Sequence, residues 1–311
     1  MDAFLSPGRA ARRLVKRIVN PAGLANDAAL HATVRDKVVL VTGASYGLGE
    51  ATARKLGAAG ATVLLVARTS ERLANVAAQI TAGGGKAQTY AVDLCNDKAV
   101  EELVQRILAD HGHVDIVVNN AGKSIRRSLH LQYDRFHDFT RTMGVNYLGP
   151  ARLLLGLLPP MRARGRGHIV NVSTVGVRIV PGPRWGVYQS SKGAFDIWLR
   201  SITPEIQADG LTVSTIYMGL IYTRMSAPTP IMRKLPGLHP DEAADLVARA
   251  IVHRPREITP WWVWPAEFGS LIARGPLAHG LAFLHRRSRD SESALGIEAP
   301  PTHHPRARGR T

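Results

Sequence analysis

The chain has 311 residues, 45% of them hydrophobic, enough to bury one large α/β core with extensions. Its single cysteine, Cys95, excludes an intramolecular disulfide framework and any multi-cysteine metal site, and points to a reducing, cytoplasmic setting. The net charge of +16, from 40 Lys and Arg against 24 Asp and Glu, favours anionic partners: nucleic acid, anionic lipid or phosphorylated ligands.

Part of the basic excess lies at the start, where Arg9, Arg12, Arg13, Lys16, Arg17 and Arg35 outnumber Asp2 and Asp27. At helical spacing, RAARRLVKRIV (9–19) gathers Ala10, Ala11, Leu14, Val15, Ile18 and Val19 on one side. Arg12, Arg13, Lys16 and Arg17 fall on the other, which predicts a basic amphipathic helix suited to an anionic membrane surface. Residues 1–35 are therefore read as a basic leader. No apolar run approaches the roughly 18 residues of a membrane-spanning helix. Charges also interrupt the N-terminal apolar residues too often for a secretory signal.

From Lys37 the pattern becomes regular. Apolar, β-branched runs at KVVLVTG (37–43), ATVLLVAR (61–68), AQTYAVDL (87–94), VDIVVNNAG (114–122), HIVNVS (168–173) and LTVSTIYMG (211–219) predict six strands. Segments of helical length separate them, among them 69–82, 97–111, 135–160 and 186–208. This alternation predicts an α/β fold, a single doubly wound domain over 36–260 with a parallel sheet covered on both faces.

The first strand–helix junction, TGASYGLGE (42–50), carries Gly43, Gly47 and Gly49. Such glycines allow a tight turn and close backbone approach of a pyrophosphate, and the following helix offers free N–H groups and its positive dipole end. Ser45 can hydrogen-bond phosphate or ribose. A dinucleotide site specific for NAD(H) usually places Asp or Glu about 20 residues further on, to hold the ribose 2′-OH. Here the second strand ends Ala67-Arg68, with no acid. A guanidinium suits a 2′-phosphate by charge and by bidentate geometry, so the expected cofactor is NADP(H).

Further on, YQSSK sets Tyr188 and Lys192 at i and i+4, one above the other on a helix. A phenol titrates near pH 10 in isolation. A nearby ammonium favours its ionised form, which lets the phenol hand a proton to a carbonyl oxygen as hydride reaches the carbon. In the company of the other motifs, the chain resembles the short-chain dehydrogenase/reductase family over roughly 36–255. The motifs appear in order: TGASYGLG, Asp93-Leu94, NNAG (119–122), Asn146 in GVNYLG, the hydroxyl-bearing strand, YxxxK, and a loop ending at Thr223. The resemblance implies that Tyr188 is the general acid and that Lys192 lowers its pKa and holds the nicotinamide ribose. It implies that Asn146 anchors a proton-relay water. It places Leu48 in the phosphate turn, Asp93 and Leu94 beside the adenine, and Asn120, Ala121 and Gly122 beside the adenosine ribose. Ile221 and Thr223 would contact the nicotinamide carboxamide and phosphate. The family's strand motif is N-x-x-S. Counting from Asn171 gives Thr174 as the substrate-oxygen donor in place of a serine, with Ser173 as a structural neighbour. A second departure is Met218-Gly219 where the family has Pro-Gly, which leaves the substrate loop freer.

The stretch from NNAG through SIRR (124–127) and DRFHDF (134–139) is similar to the bacterial fatty acyl-CoA reductase branch, as are YMGLIYTRMSAPT and DEAADLVARAIVHRP. That branch implies NADPH-dependent reduction of a long-chain acyl-CoA to a fatty aldehyde. Arg126 and Arg127 would pair with CoA phosphates or, on the other reading, form a solvated pair on a loop. Two alternatives stay open. One is an NADP(H)-dependent oxidoreductase of another lipophilic ketone or alcohol, such as a long-chain ketone or steroid. The other is a membrane-surface scaffold that keeps the reductase fold. Residues 261–290 (WWVWPAEFGSLIARG onward) are read as a Trp-rich interfacial or substrate-lid extension, and 291–311 as a disordered basic tail. Peripheral association with the inner face of a membrane follows from both ends, and a homo-oligomer from the family. No nucleic-acid-binding motif and no metal-ligand spacing is present.

Overall fold

The computed structural model describes residues 9–24, 26–229, 232 and 234–295. Six strands form where the apolar runs predict them: β1 (Val38–Thr42), β2 (Thr62–Ala67), β3 (Lys86–Ala91), β4 (Ile116–Asn119), β5 (Gly167–Thr174) and β6 (Leu211–Met218). A seventh, β7 (Glu257–Ile258), is two residues long, too short to leave a periodic signal. The strands pair in parallel in the order β3-β2-β1-β4-β5-β6-β7. The chain winds outward from β1 to β3, then returns to lay β4 on the other side of β1. A crevice opens at the carboxyl ends of the strands at such a reversal, and ligands bind there.

Alternation along each strand divides the core in two. Val39, Val41, Val63 and Leu65 pack on one face against α3 (Gly47–Ala58), α4 (Ser70–Ala82) and α9 (Pro240–His253). Leu40, Leu64, Val66 and Val117 pack on the other against α5 (Asp97–His111), α7 (Gly149–Ala163) and α8 (Gly186–Ala208). Each of these strand side chains is fully buried, a gain of about 1.5–3 kcal/mol apiece, and both faces must be apolar for the sheet to sit between two helix layers.

The segment predicted as one helix over 135–160 is instead α6 (Phe136–Met143), a π turn (Gly144–Leu148) and α7. The widened turn follows from a tertiary capture of Asn146, described below. Ahead of the sheet stand α1 (Arg9–Val19) and α2 (Asp27–Val34), whose N-cap Asn26 accepts from the N–H groups of Ala28 and Ala29 at 2.9 and 3.3 Å. Leu30 and Val34 of α2 join the first core cluster. After the sheet come α10 (Val263–Ile272), α11 (Arg274–Arg287) and a 3₁₀ turn at Glu292–Leu295. Residues 1–8 and 296–311, which carry part of the expected leader and most of the expected tail, and the side chains of 9–13, lie outside the described residues. Among the described residues no helix is long and apolar enough to cross a membrane.

Candidate active site

The glycine turn folds as a cradle. Gly43 and Gly47 sit at φ +68° and +59°, conformations a side chain resists. A Cβ on Gly49 would stand 2.1 Å from the Gly43 carbonyl oxygen, so only glycine lets α3 begin this close to β1. The cradle is bolted to the end of β4: the Thr42 hydroxyl accepts from the N–H groups of Asn120 and Ala121 at 3.0 and 2.9 Å, and Asn120 Nδ2 donates to the Thr42 carbonyl at 2.9 Å. The cap position of α3 is Tyr46, which makes no side-chain cap bond, so the first N–H groups of the helix face the crevice unclaimed by a capping side chain. Ser45, Leu48, Arg68, Asp93, Leu94 and Gly122 border the same crevice. Arg68 follows directly on β2 and is exposed, with no carboxylate partner among the described residues. This chemistry fits a dinucleotide with an extra phosphate on its ribose.

The cradle opens into a cleft between β5, the start of α8 and the loop after β6, and the two together form one cavity of about 850 Å³. Tyr188 and Lys192 lie one turn apart at its floor. The Lys192 ammonium donates to the Val172 carbonyl of β5 at 3.0 Å and is 7% exposed; burial pushes its pKa down to about 8. Burial pushes the Tyr188 phenol up, and a hydrogen bond with the Thr174 hydroxyl acts against it. Thr174 also accepts from the Gly176 N–H at 3.3 Å. Ser173, its neighbour, is 5% exposed and its hydroxyl has no hydrogen-bond partner. Of the two adjacent hydroxyls, Thr174 is the one that faces the phenol.

Asn146 reaches the site from the π turn. Its Oδ1 accepts from the Lys123 N–H at 2.8 Å, and its Nδ2 donates to the Lys123 carbonyl at 2.9 Å and to Ser191 Oγ at 2.8 Å. Holding this buried amide between two segments explains why the helix widens here, in keeping with the frequency of π turns at functional sites. Ser191 in turn donates to the Tyr188 carbonyl at 2.8 Å, so one hydroxyl ties Asn146 to the tyrosine's own turn of α8. Sequence reasoning missed Ser191 although it stands inside YQSSK; a hydroxyl beside a charged residue carries no distinguishing signal. Ile221 and Thr223 close the cleft from the loop after β6. That loop is pinned by Leu238, whose N–H donates to the Leu220 carbonyl and whose carbonyl accepts from the Tyr222 N–H, both at 2.9 Å.

Arg126 and Arg127 do not border the cleft. Arg127 is buried against Asp138 of α6, and the Arg126 guanidinium donates to the Arg289 carbonyl at 3.3 Å. Neither therefore stands ready for CoA phosphates, nor as a solvated pair. Besides Lys192, the cations that line the cleft among the described residues are Arg68, Lys123, Arg141 and Arg224. Burial lowers the Lys123 pKa, and the neighbouring Arg141 and Arg68 lower it further. The remaining wall is apolar, with Val180, Met218, Met225, Met232, Leu235 and Leu281 among its residues.

A dinucleotide cradle at the topological reversal, leading into an apolar cleft with a Tyr–Lys pair at its floor, defines an oxidoreductase of the short-chain class. Residues 37–234 match the short chain dehydrogenase family profile, and the chain belongs to the short-chain dehydrogenase/reductase family. It is 47% identical over 232 residues to a fatty acyl-CoA reductase of Acinetobacter baylyi, covering 75% of this chain and 78% of that one. It is 44% identical over 279 residues to an uncharacterized oxidoreductase of Mycobacterium tuberculosis, covering 87% of this chain and 80% of that one. A metagenomic short-chain oxidoreductase solved in complex with NADP superposes with a TM-score of 0.64 at 32% identity, covering 73% of this chain and 97% of that one.

Proposed function

We propose that the protein is an NADPH-dependent reductase of a lipid carbonyl, and that its substrate is a long-chain fatty acyl-CoA, released as the fatty aldehyde. The observation that carries this reading is the apolar cleft that starts at Tyr188 and Thr174 and is lined by methionine, leucine and valine. The 47% identity to a protein named a fatty acyl-CoA reductase supports the acyl-CoA, and Arg68 in place of an acid supports the 2′-phosphate. Gly43, Ser45, Gly47, Leu48, Gly49, Arg68, Asp93, Leu94, Asn120, Ala121, Gly122, Ile221 and Thr223 would hold the cofactor, together with Tyr188 and Lys192. Bound NADPH supplies the hydride.

The chain's own residues do the rest. Tyr188 and Thr174 donate hydrogen bonds to the carbonyl oxygen, and the charge that grows there as the carbon becomes tetrahedral is stabilised by donors already in place. Lys192, held by the Val172 carbonyl, makes proton loss from the phenol easier by its positive charge. Asn146 and Ser191 hold the tyrosine's turn of α8 and the loop at Lys123 in register; Asn146 would also anchor the relay that reprotonates the phenol. The phenol proton passes to the carbonyl oxygen; collapse of the tetrahedral centre then breaks the C–S bond, the hydroxyl proton goes to the departing sulfur, and CoA leaves as its thiol. A division into leader 1–35, reductase domain 36–260, extension 261–290 and tail 291–311 belongs to the same reading. So do a cytoplasmic location at the inner face of the membrane and a homo-oligomer, the latter supported by exposed Leu155 on α7 and Ile197 on α8. The test is NADPH oxidation by the purified protein with palmitoyl-CoA, with free thiol measured in parallel. Equimolar thiol release supports the reading; turnover of ketones without thiol release overturns it.

A further inference from the structure

The two ends of the described chain meet on one surface. The Trp261 and Trp262 indoles donate to the Ile18 and Val19 carbonyls of α1 at 2.8 and 3.0 Å, which joins α1 to the start of α10. On α1 the usual orientation of an amphipathic helix is reversed: Lys16 turns inward to Glu242 of α9, while Leu14, Val15 and Ile18 are 60%, 45% and 51% exposed. Beside it Trp261, Trp264, Phe268, Leu271 and Ile272 are all more than half exposed. In α11 no side chain is buried. Large apolar residues exposed together on a folded chain mark a surface that something covers.

The charges around this surface say what covers it. Arg17, Arg274, Arg286 and Arg287 are exposed and have no carboxylate partner among the described residues. Between 261 and 289 the only acid is Glu267, and Arg178 engages it from two nitrogens. A second copy of this chain laid on the face would bring these cations against themselves. An anionic phospholipid surface meets both features, taking tryptophan and leucine into the headgroup–acyl boundary and arginine at the headgroups. The face is also part of the cleft wall, because Leu281 of α11 borders the same cavity as Tyr188. We propose that α1 and the α10–α11 hairpin dock on an anionic phospholipid bilayer, and that the acyl chain passes from the membrane to Tyr188 along α11. This rests on the lipid-carbonyl reading for its substrate, but not for its docking.

The experiment takes the full chain and the variant Phe268→Ser/Leu271→Ser/Ile272→Ser, three exposed residues away from the site. Flotation is measured with vesicles of phosphatidylcholine alone and of phosphatidylcholine mixed with phosphatidylglycerol. The full chain should float with the mixed vesicles and not with the neutral ones. The variant should bind them about 100-fold more weakly, since three apolar side chains are withdrawn from the interface. Turnover of a short, water-soluble acyl-CoA should be unchanged in the variant, and turnover of a long-chain acyl-CoA dissolved in the vesicles should fall with binding. Absence of flotation, or equal flotation with both vesicles, overturns the docking. A variant that still floats but has lost a dimer in sedimentation overturns it in favour of a second copy. A protein that floats as expected and turns over no acyl-CoA leaves the docking standing and overturns the substrate reading alone.

Discussion

Replacing Thr174 and Ser173 one at a time separates two hydroxyls that adjoin in sequence but differ in surroundings. Thr174 faces the Tyr188 phenol, and on the proposed mechanism its loss removes a donor to the carbonyl oxygen. Removing one such donor costs about 100- to 1000-fold in kcat. Thr174→Ala should lose that much, with KM changed little, and Thr174→Ser should recover most of it. Ser173 is 5% exposed and its hydroxyl has no partner, so the folded state already bears the cost of desolvating it. Ser173→Ala deletes no hydrogen bond and relieves that cost. Stability should be unchanged or gain up to about 1 kcal/mol, a rise in Tm of about 2 °C for a domain of this size. Its kcat should stay within about twofold of wild type, below the effect of any lost donor. Steady-state kinetics with NADPH and palmitoyl-CoA, beside thermal melts, reads both quantities. A Ser173→Ala protein that folds and loses more activity than Thr174→Ala refutes the reasoning, because the orphan hydroxyl would then be the one that meets substrate.

Arg68→Glu should raise the KM for NADPH by about 10- to 100-fold, the worth of a charge-assisted contact to phosphate, and leave NADH equal or improved; an unchanged NADPH/NADH ratio would remove Arg68 from the phosphate site. Lys192 supplies a pH signature. Its pKa is about 8 in the fold against an ordinary 10.5, so the unfolded chain binds the extra proton between those values. The cost of burying the ammonium is therefore fully present below about pH 8 and relieved as pH rises towards about 10.5. Urea midpoints of wild type relative to Lys192→Met should rise over that window and stay level below it; a difference independent of pH would show that the burial argument fails. Asp290→Ala should strip the buried Arg184 side chain of its carboxylate, a loss of about 3–5 kcal/mol locally, seen as faster proteolysis within α10 and α11 than in the body; uniform proteolysis of the two regions would show that this pair does not hold α11.

The strands and the order of the motifs were legible because a parallel sheet between two helix layers needs apolar residues on both faces, and six of the seven strands are long enough to show it. Gly43, Gly47, Tyr188 and Lys192 were legible because a tight turn and a helical i, i+4 pair are local facts. The split of α6 from α7 was not. The residues GVNYLG continue a helical pattern, and it is Lys123, some 20 residues earlier, that captures Asn146 and opens the turn. The same limit applied to charge. Counting basic residues at the N-terminus put Lys16 with the polar face of a free helix, whereas Glu242, more than 200 residues away, turns it inward.

Long-range charge pairing also accounts for two motifs that sequence reasoning could only set side by side. SIRR and DRFHDF meet through one ion pair, Arg127 with Asp138, both buried. The Arg127 N–H then donates to the carbonyl of Arg184 at 2.9 Å, a residue held at φ +72°. Arg184 pairs with Asp290 at 3.3 Å, and Asp290 also accepts from the Ser128 N–H at 2.9 Å. The connection runs from α6, next to the turn that carries Asn146, to the end of α11, which borders the cleft. Buried pairs of this kind add little net stability over apolar residues of the same size, because desolvation offsets the attraction. What they impose is geometry: a wrong placement leaves a charge buried alone. The SIRR arginines thus belong to the framework that holds the end of α11, and with it the wall that carries Leu281, against the body of the domain.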